Sequence, residues 1–213
     1  MKPVAIFLYE LSGQSAAPFA AAGWECFCID IAHKKARTVG NVHFVKADAR
    51  HWMPTRDMVD RCRFFAAFPP CDDLATSGAL WFKGKGLHAL STAIELFAVA
   101  SKWAEFIGAP YLIENPRSTI STYWRKPDCT FDPCDYSQLA PSEHYTKKTC
   151  LWTGGGFVMP PKCPLPGPAR ENVIRDMKGK GRDRANARSV TPLGFIRAVY
   201  DANFGSAPGV RAA

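Results

Sequence analysis

Two short clusters bring together residue types capable of covalent chemistry. Phe68-Pro69-Pro70-Cys71 ends an apolar run of strand length, and its two prolines stiffen the chain that carries a thiol. Glu114-Asn115-Pro116 ends the next such run, residues 111–113. A cysteine and a carboxylate projecting from neighbouring strand ends make a nucleophile and acid pair. Pro-Pro-Cys alone fits a turn with an inert cysteine equally well; the carboxylate at the next strand end favours chemistry. Three more polar groups follow apolar runs in the same way. Leu11-Ser12-Gly13-Gln14 follows residues 4–9, Asp30-Ile31 follows residues 24–29, and Asp48-Ala49 follows residues 42–45. An acid about 20 residues beyond a glycine turn is the spacing of nucleotide-binding folds, which fits Gly13 and Asp30. Asp48 fits a turn former equally well.

Helical patterns separate these strand-like runs. Ser15 is placed to cap an Ala-rich helix stopping at Gly23, and residues 87–107 carry Leu87, Leu90, Ile94, Phe97 and Ile107 on one face before Gly108 and Pro110. Alternating strands and helices predict an α/β fold with a doubly wound parallel sheet, whose ligands bind beyond the carboxyl ends of the strands. Every polar cluster above sits at such an end. Residues 117–170 are rich in Pro, Gly, Cys and aromatics without periodicity, the mark of a small irregular C-terminal insert. Residues 170–188 hold seven Lys/Arg against three acids, a local surplus of +4 that reads as a flexible basic loop. Thr191-Pro192 opens a last helix, with Thr191 as cap and the face Phe195, Val199 and Ala202 turned to the sheet.

At 213 residues, 47% hydrophobic and 22% charged, the chain suits a single globular domain. Its expected divisions are a core over 1–116, a reduced recognition segment over 117–190 and a closing helix over 191–204. The net charge of +8 points to a polyanionic partner. No apolar run approaches the roughly 18 residues of a membrane span, and the N-terminus has too short an apolar stretch for a signal peptide. A cytoplasmic chain is expected, with its eight cysteines as reduced thiols. Cys129, Cys134, Cys150 and Cys163 lack the paired C-x2-C spacing of zinc sites, so structural thiols are expected of them. Trp81, Trp124 and Trp152 are expected to pack, although an aromatic near the pocket could stack on a base.

Over most of its length, and in motif order, the sequence resembles the DNA cytosine-C5 methyltransferases, and within them the short versions encoded by phages and prophages. Phe68-Pro69-Pro70-Cys71 and Ile113-Glu114-Asn115-Pro116 look like the nucleophile and Glu-Asn motifs. The stretch from Ser118 to Lys126, the run Tyr145-Thr146-Lys147-Lys148-Thr149-Cys150-Leu151-Trp152, and Ser189-Val190-Thr191-Pro192 look like the short phage members. The resemblance implies a Rossmann-like S-adenosylmethionine-dependent methyltransferase sheet. It implies that Leu11, Ser12, Gly13, Gln14, Asp30, Ile31, Asp48, Ala49 and Pro69 hold the cofactor. It also implies that Pro70, Asn115 and Arg117 face the substrate. A basic run such as 170–188 is most often a solvated loop, but beside a DNA-modifying site its Lys180, Arg182 and Arg184 are expected to meet DNA phosphates. The arginine that steadies the flipped base in the family has no counterpart in a Gln-x-Arg motif here; Lys147, Lys148, Arg117 and Arg125 are the candidates for its place. Pro116 stands where the family commonly has Val, and the first loop has one glycine where the family has more.

The implied chemistry explains the residue types. Cytosine C5 is a poor nucleophile, so a Cys71 thiolate of lowered pKa would add at C6, with a protonated Glu114 at N3, on a base flipped out of the stack. The alternatives are C5 modification of a free pyrimidine nucleotide and a catalytically silent DNA-binding protein on the same scaffold. A thiol hydrolase lacks an evident histidine base.

Overall fold

The computed structural model describes residues 1–171 and 190–205. In chain order the main elements are β1 Val4–Leu8, α1 Ala17–Ala21, β2 Glu25–Asp30, β3 Arg37–Val39, β4 Val42–Lys46, α2 Arg56–Arg61 and β5 Cys62–Ala67. A 3-10 helix Thr76–Trp81 then leads into α3 Phe82–Ile107, β6 Tyr111–Pro116, α4 Ile120–Tyr123, β7 Cys129–Phe131, β8 Thr149–Gly154 and α5 Leu193–Phe204. The chain divides into two compact units, Met1–Phe131 with Lys147–Phe157, and Asp132–Thr146 with Val158–Ala213.

The first unit is an α/β fold on an eight-stranded sheet of order β3-β4-β2-β1-β5-β6-β8-β7, consistent with a Rossmann-like architecture. The five strands from β4 to β6 are parallel, as the alternating pattern predicts. The expected all-parallel sheet is corrected at its edges, where β3, β8 and β7 pair antiparallel. Every residue of β1 is buried, as a central strand covered on both faces requires. On one face Ile6 and Leu8 share a core with Phe97, Ala100 and Ala104 of α3. On the other, Phe7 meets Phe19 of α1 at 5.5 Å and Phe64 of β5 at 6.1 Å between ring centroids. Ala93, Phe97, Ala100 and Ala104 recur at helical spacing along α3, which stops at Gly108, left-handed at φ 68°. The helix starts five residues earlier than the sequence predicts, and Gly86 breaks it with φ 77°. Ser15 does not cap α1: the helix begins at Ala17 and the Ser15 hydroxyl is buried without a partner.

In the second unit Thr191 is likewise not the cap of α5. Pro192 holds that place, and the Glu143 carboxylate accepts the backbone N–H of Leu193 at 2.7 Å and of Gly194 at 2.8 Å. Phe195 of α5 packs on Tyr136, ring centroids 5.3 Å apart. A side chain at Gly194 would meet the Tyr136 carbonyl at 2.6 Å, so this approach needs glycine. No helix among the described residues is long and apolar enough to cross a membrane.

Candidate active site

The hydrogen-bond ladder between β1 and β5 runs one residue past the strand, Phe68 N–H donating to Leu8 O at 3.1 Å. Pro69 and Pro70 have no N–H to continue it, so the chain leaves the sheet there. Cys71 opens a turn in which its carbonyl accepts Leu74 N–H at 3.0 Å and Ala75 N–H at 2.8 Å. Beyond the turn, the chain is clasped to the segment that follows β6: Thr76 N–H donates to Arg117 O at 2.9 Å, and Thr119 N–H to Leu74 O at 3.1 Å. Lys85 closes the other side, its Nζ donating to Asp72 O at 2.9 Å and to Asp73 Oδ1 at 2.6 Å.

Asn115 is 1% exposed, and its Nδ2 donates to Pro69 O at 2.9 Å. The resemblance puts Asn115 against the substrate and Pro69 against the cofactor. In the structure this hydrogen bond joins them, and it makes Asn115 a positioning residue for the thiol-bearing turn.

Glu114 lies on β6 with 6% of its surface exposed, opposite Leu151 of β8. Lys147 stands just before β8, with its carbonyl accepting the Thr149 hydroxyl at 2.9 Å. Burial holds the Glu114 carboxyl above the usual carboxylate range, and the Lys147 ammonium pulls it back. The Cys71 thiol is pushed up to about 11, first by burial and then by the charges of Asp72 and Glu114, with Lys147 again opposing. This corrects the expectation of a lowered Cys71 pKa. The thiol form is favoured in the site, by burial first and by the neighbouring carboxylates second.

Lys147 acts on both members of the pair, which sets it apart from the other candidate cations. Arg125 is committed to Asp128 at 2.6 Å and Thr153 O at 3.2 Å, and it lies 4.6 Å from the Trp124 ring centroid. Arg117 and Lys148 are exposed and act on the buried Cys150 instead. Removing the charge with Lys147→Met should raise the midpoint of Cys71 alkylation by iodoacetamide above its value of about 11, because the change removes a group that lowers it. A midpoint unchanged or lower in the variant, with Cys71→Ser as the blank, would remove Lys147 from the pair.

At the carboxyl ends of β1 and β2 the loop 11–14 is organised by a residue the sequence motifs pass over. Glu10 is buried, and its Oε1 accepts Ser12 N–H at 2.8 Å, the Ser12 hydroxyl at 2.6 Å and Gly13 N–H at 2.8 Å. Its signal is the one that picks out Asp30, an acid directly after a buried apolar run. Gly13 has φ +77°, and a Cβ there would lie 2.8 Å from the Phe44 ring, so only glycine lets the loop settle on that ring. Glu10→Ala strands two backbone donors and a hydroxyl, and should cost about 2–3 kcal/mol of stability in chemical denaturation. A loss below about 0.5 kcal/mol would show that the loop holds without it.

Asp30 Oδ1 accepts Ala32 N–H at 2.7 Å, and Oδ2 takes no hydrogen bond among the described residues. Burial raises the Asp30 pKa, with a smaller push from Glu10 and opposing effects of Ala32 N–H and His33. His33 is 2% exposed; its Nε2 lies 3.2 Å from Cys28 O and its Nδ1 has no partner. Loop 11–14 and Asp30 thus lie side by side at the carboxyl ends of the paired strands β1 and β2. Asp48 is not an open acceptor. Arg50 clamps both its oxygens, Nε to Oδ1 at 3.0 Å and Nη2 to Oδ2 at 2.6 Å, and holds its carboxyl down at about 2. Ala49 is buried, and Ile31 is exposed.

No group of three or more His, Cys, Asp or Glu among the described residues could hold a metal ion. Lys180, Arg182 and Arg184 lie outside the described residues. No protein-family model matches the chain, and it has no match among curated proteins.

Proposed function

We propose that this chain is an S-adenosylmethionine-dependent methyltransferase acting at C5 of cytosine in DNA. One observation carries the reading: a cysteine on a turn fixed from three sides shares its electrostatic environment with a buried carboxyl and one lysine, on the same strand-end edge of the sheet as loop 11–14 and Asp30. The local surplus of +4 over residues 170–188 and the net charge of +8 support a polyanionic substrate.

In this reading the cofactor supplies an electrophilic methyl group and a sulfonium charge. Asp30 and the loop held by Glu10 bind its nucleoside end. Burial favours the neutral form of Glu114, and in that form it donates to N3 of the base and places no negative charge beside the thiol. Cys71 gives its proton to solvent, Sγ adds to C6 as the thiolate, and the ring electrons move to C5. Once C5 carries the methyl group, loss of the C5 proton to water restores the double bond and expels Cys71 as thiolate. Lys147 steadies the negative charge on sulfur at both ends of the cycle. Asn115 holds Pro69, and through it the turn, at a fixed distance from Glu114.

The direct test is incubation with methyl-labelled cofactor and either DNA or dCMP, followed by digestion to nucleosides. Label in 5-methyldeoxycytidine from DNA is expected. Label in another base, or none, would overturn the reading; label in dCMP alone would move the substrate to the free nucleotide.

A further inference from the structure

The chain just past Cys71 is unlike the rest of the first unit. Leu80 is 93% and Trp81 71% exposed, at the end of the 3-10 helix that leaves the clasp. This corrects the expectation that Trp81 packs in the interior, whereas Trp152 is fully buried as expected. The next residues, Phe82, Leu87, Ala89 and Leu90, give mostly apolar walls to a cavity of about 340 Å³, with Lys83, Lys85 and Asp73 at its edge. Lys85 is engaged by Asp73, which leaves Lys83 as the cation without a described partner there. On the other strand of the clasp, α4 begins two residues after Ser118 and ends on Tyr123, which is 62% exposed.

Exposed rings and aliphatic side chains interleaved with ammonium groups bind chains that carry flat apolar faces on a polyanionic backbone. Base pairs in a duplex hide those faces, and a single strand offers them. We propose that Leu80, Trp81, Lys83 and the cavity behind Phe82 form a stacking platform for single-stranded DNA, with Tyr123, past the other strand of the clasp, as a second stacking ring. It receives the unpaired bases on either side of the one presented to Cys71. The 3-10 helix of six residues spans about 12 Å and the four-residue α4 about 6 Å, so Trp81 and Tyr123 lie within a few nucleotides' reach of the clasp. The inference names the form of the substrate and rests on the methyltransferase reading only for the role of the central base.

The test compares fluorescence anisotropy for a labelled single-stranded DNA 20-mer, its duplex and the RNA of the same sequence, at one salt concentration. The single strand should bind at least about tenfold more tightly than the duplex. Trp81→Ala and Tyr123→Ala should each weaken it by about 5- to 150-fold, the range for loss of one stacked base, while Trp81→Phe stays close to wild type. Duplex bound as tightly as single strand, RNA bound more tightly than DNA, or unaltered affinity in Trp81→Ala would each overturn the proposal. Tight, Trp81-dependent binding without any methyl transfer would sink the enzymatic reading and leave the platform standing.

Discussion

Replacing Cys71 with serine is expected to lower methyl transfer by about 10⁴-fold or more, the scale on which removal of a catalytic nucleophile is felt. The two side chains differ little in size, and Cys71 is only partly buried on a turn held by backbone and neighbouring groups, so stability should shift by less than about 1 kcal/mol. The hydroxyl is a far weaker nucleophile toward C6 than a thiolate. Cofactor affinity by calorimetry should be unchanged, because the proposal gives its nucleoside end to loop 11–14 and Asp30 rather than to the turn. Retention of more than a few per cent of activity would remove Cys71 from the mechanism.

Glu114→Gln should lower transfer by about 10²- to 10⁴-fold, the usual contribution of a positioned proton donor. The amide keeps the shape and a hydrogen bond, but it has no acidic proton to give. Its effect on the thiol has the opposite sign. Glu114 raises the Cys71 pKa, so its neutral replacement should bring the alkylation midpoint down from about 11. A more reactive thiol in a slower enzyme separates the two roles. In the wild type the protonated acid is present only below its raised pKa, so the Glu114 contribution falls away as pH rises through that value. The variant should lose this alkaline limb. A variant whose transfer rate and thiol midpoint both match wild type would show that Glu114 only fills space.

The central parallel strands and the polar groups at their carboxyl ends are legible in the sequence, because buried apolar runs ending in acids or Pro-Cys are local patterns. What escapes is decided by partners distant in the chain or by side-chain competition. β8 escapes because Cys150-Leu151-Trp152 sits in a stretch without periodicity, and pairing with β6 makes it a strand. α2 has a single buried residue, Met58, and is marked only by the Thr55 cap, whose hydroxyl accepts Met58 N–H at 3.2 Å. Asp48 reads as a ligand acid until Arg50, two residues on, is seen to occupy both its oxygens. Glu143 as the cap of α5 lies 50 residues from Leu193, beyond any local signal. The Cys71 pKa depends on burial and on Asp72, Glu114 and Lys147 together, which spacing alone cannot reveal.

The covalent adduct is the claim on which the other steps depend, and trapping it is the most direct measurement. DNA carrying 5-fluorocytosine allows addition at C6 and methylation at C5, but it offers no proton at C5 to lose, so release of the thiolate is blocked. After incubation with S-adenosylmethionine and proteolysis, mass spectrometry should find the methylated fluoropyrimidine on the peptide containing Cys71, and no adduct with Cys71→Ser. Efficient methylation of ordinary cytosine with no trapped species, or a trapped species on any other residue, would contradict the mechanism.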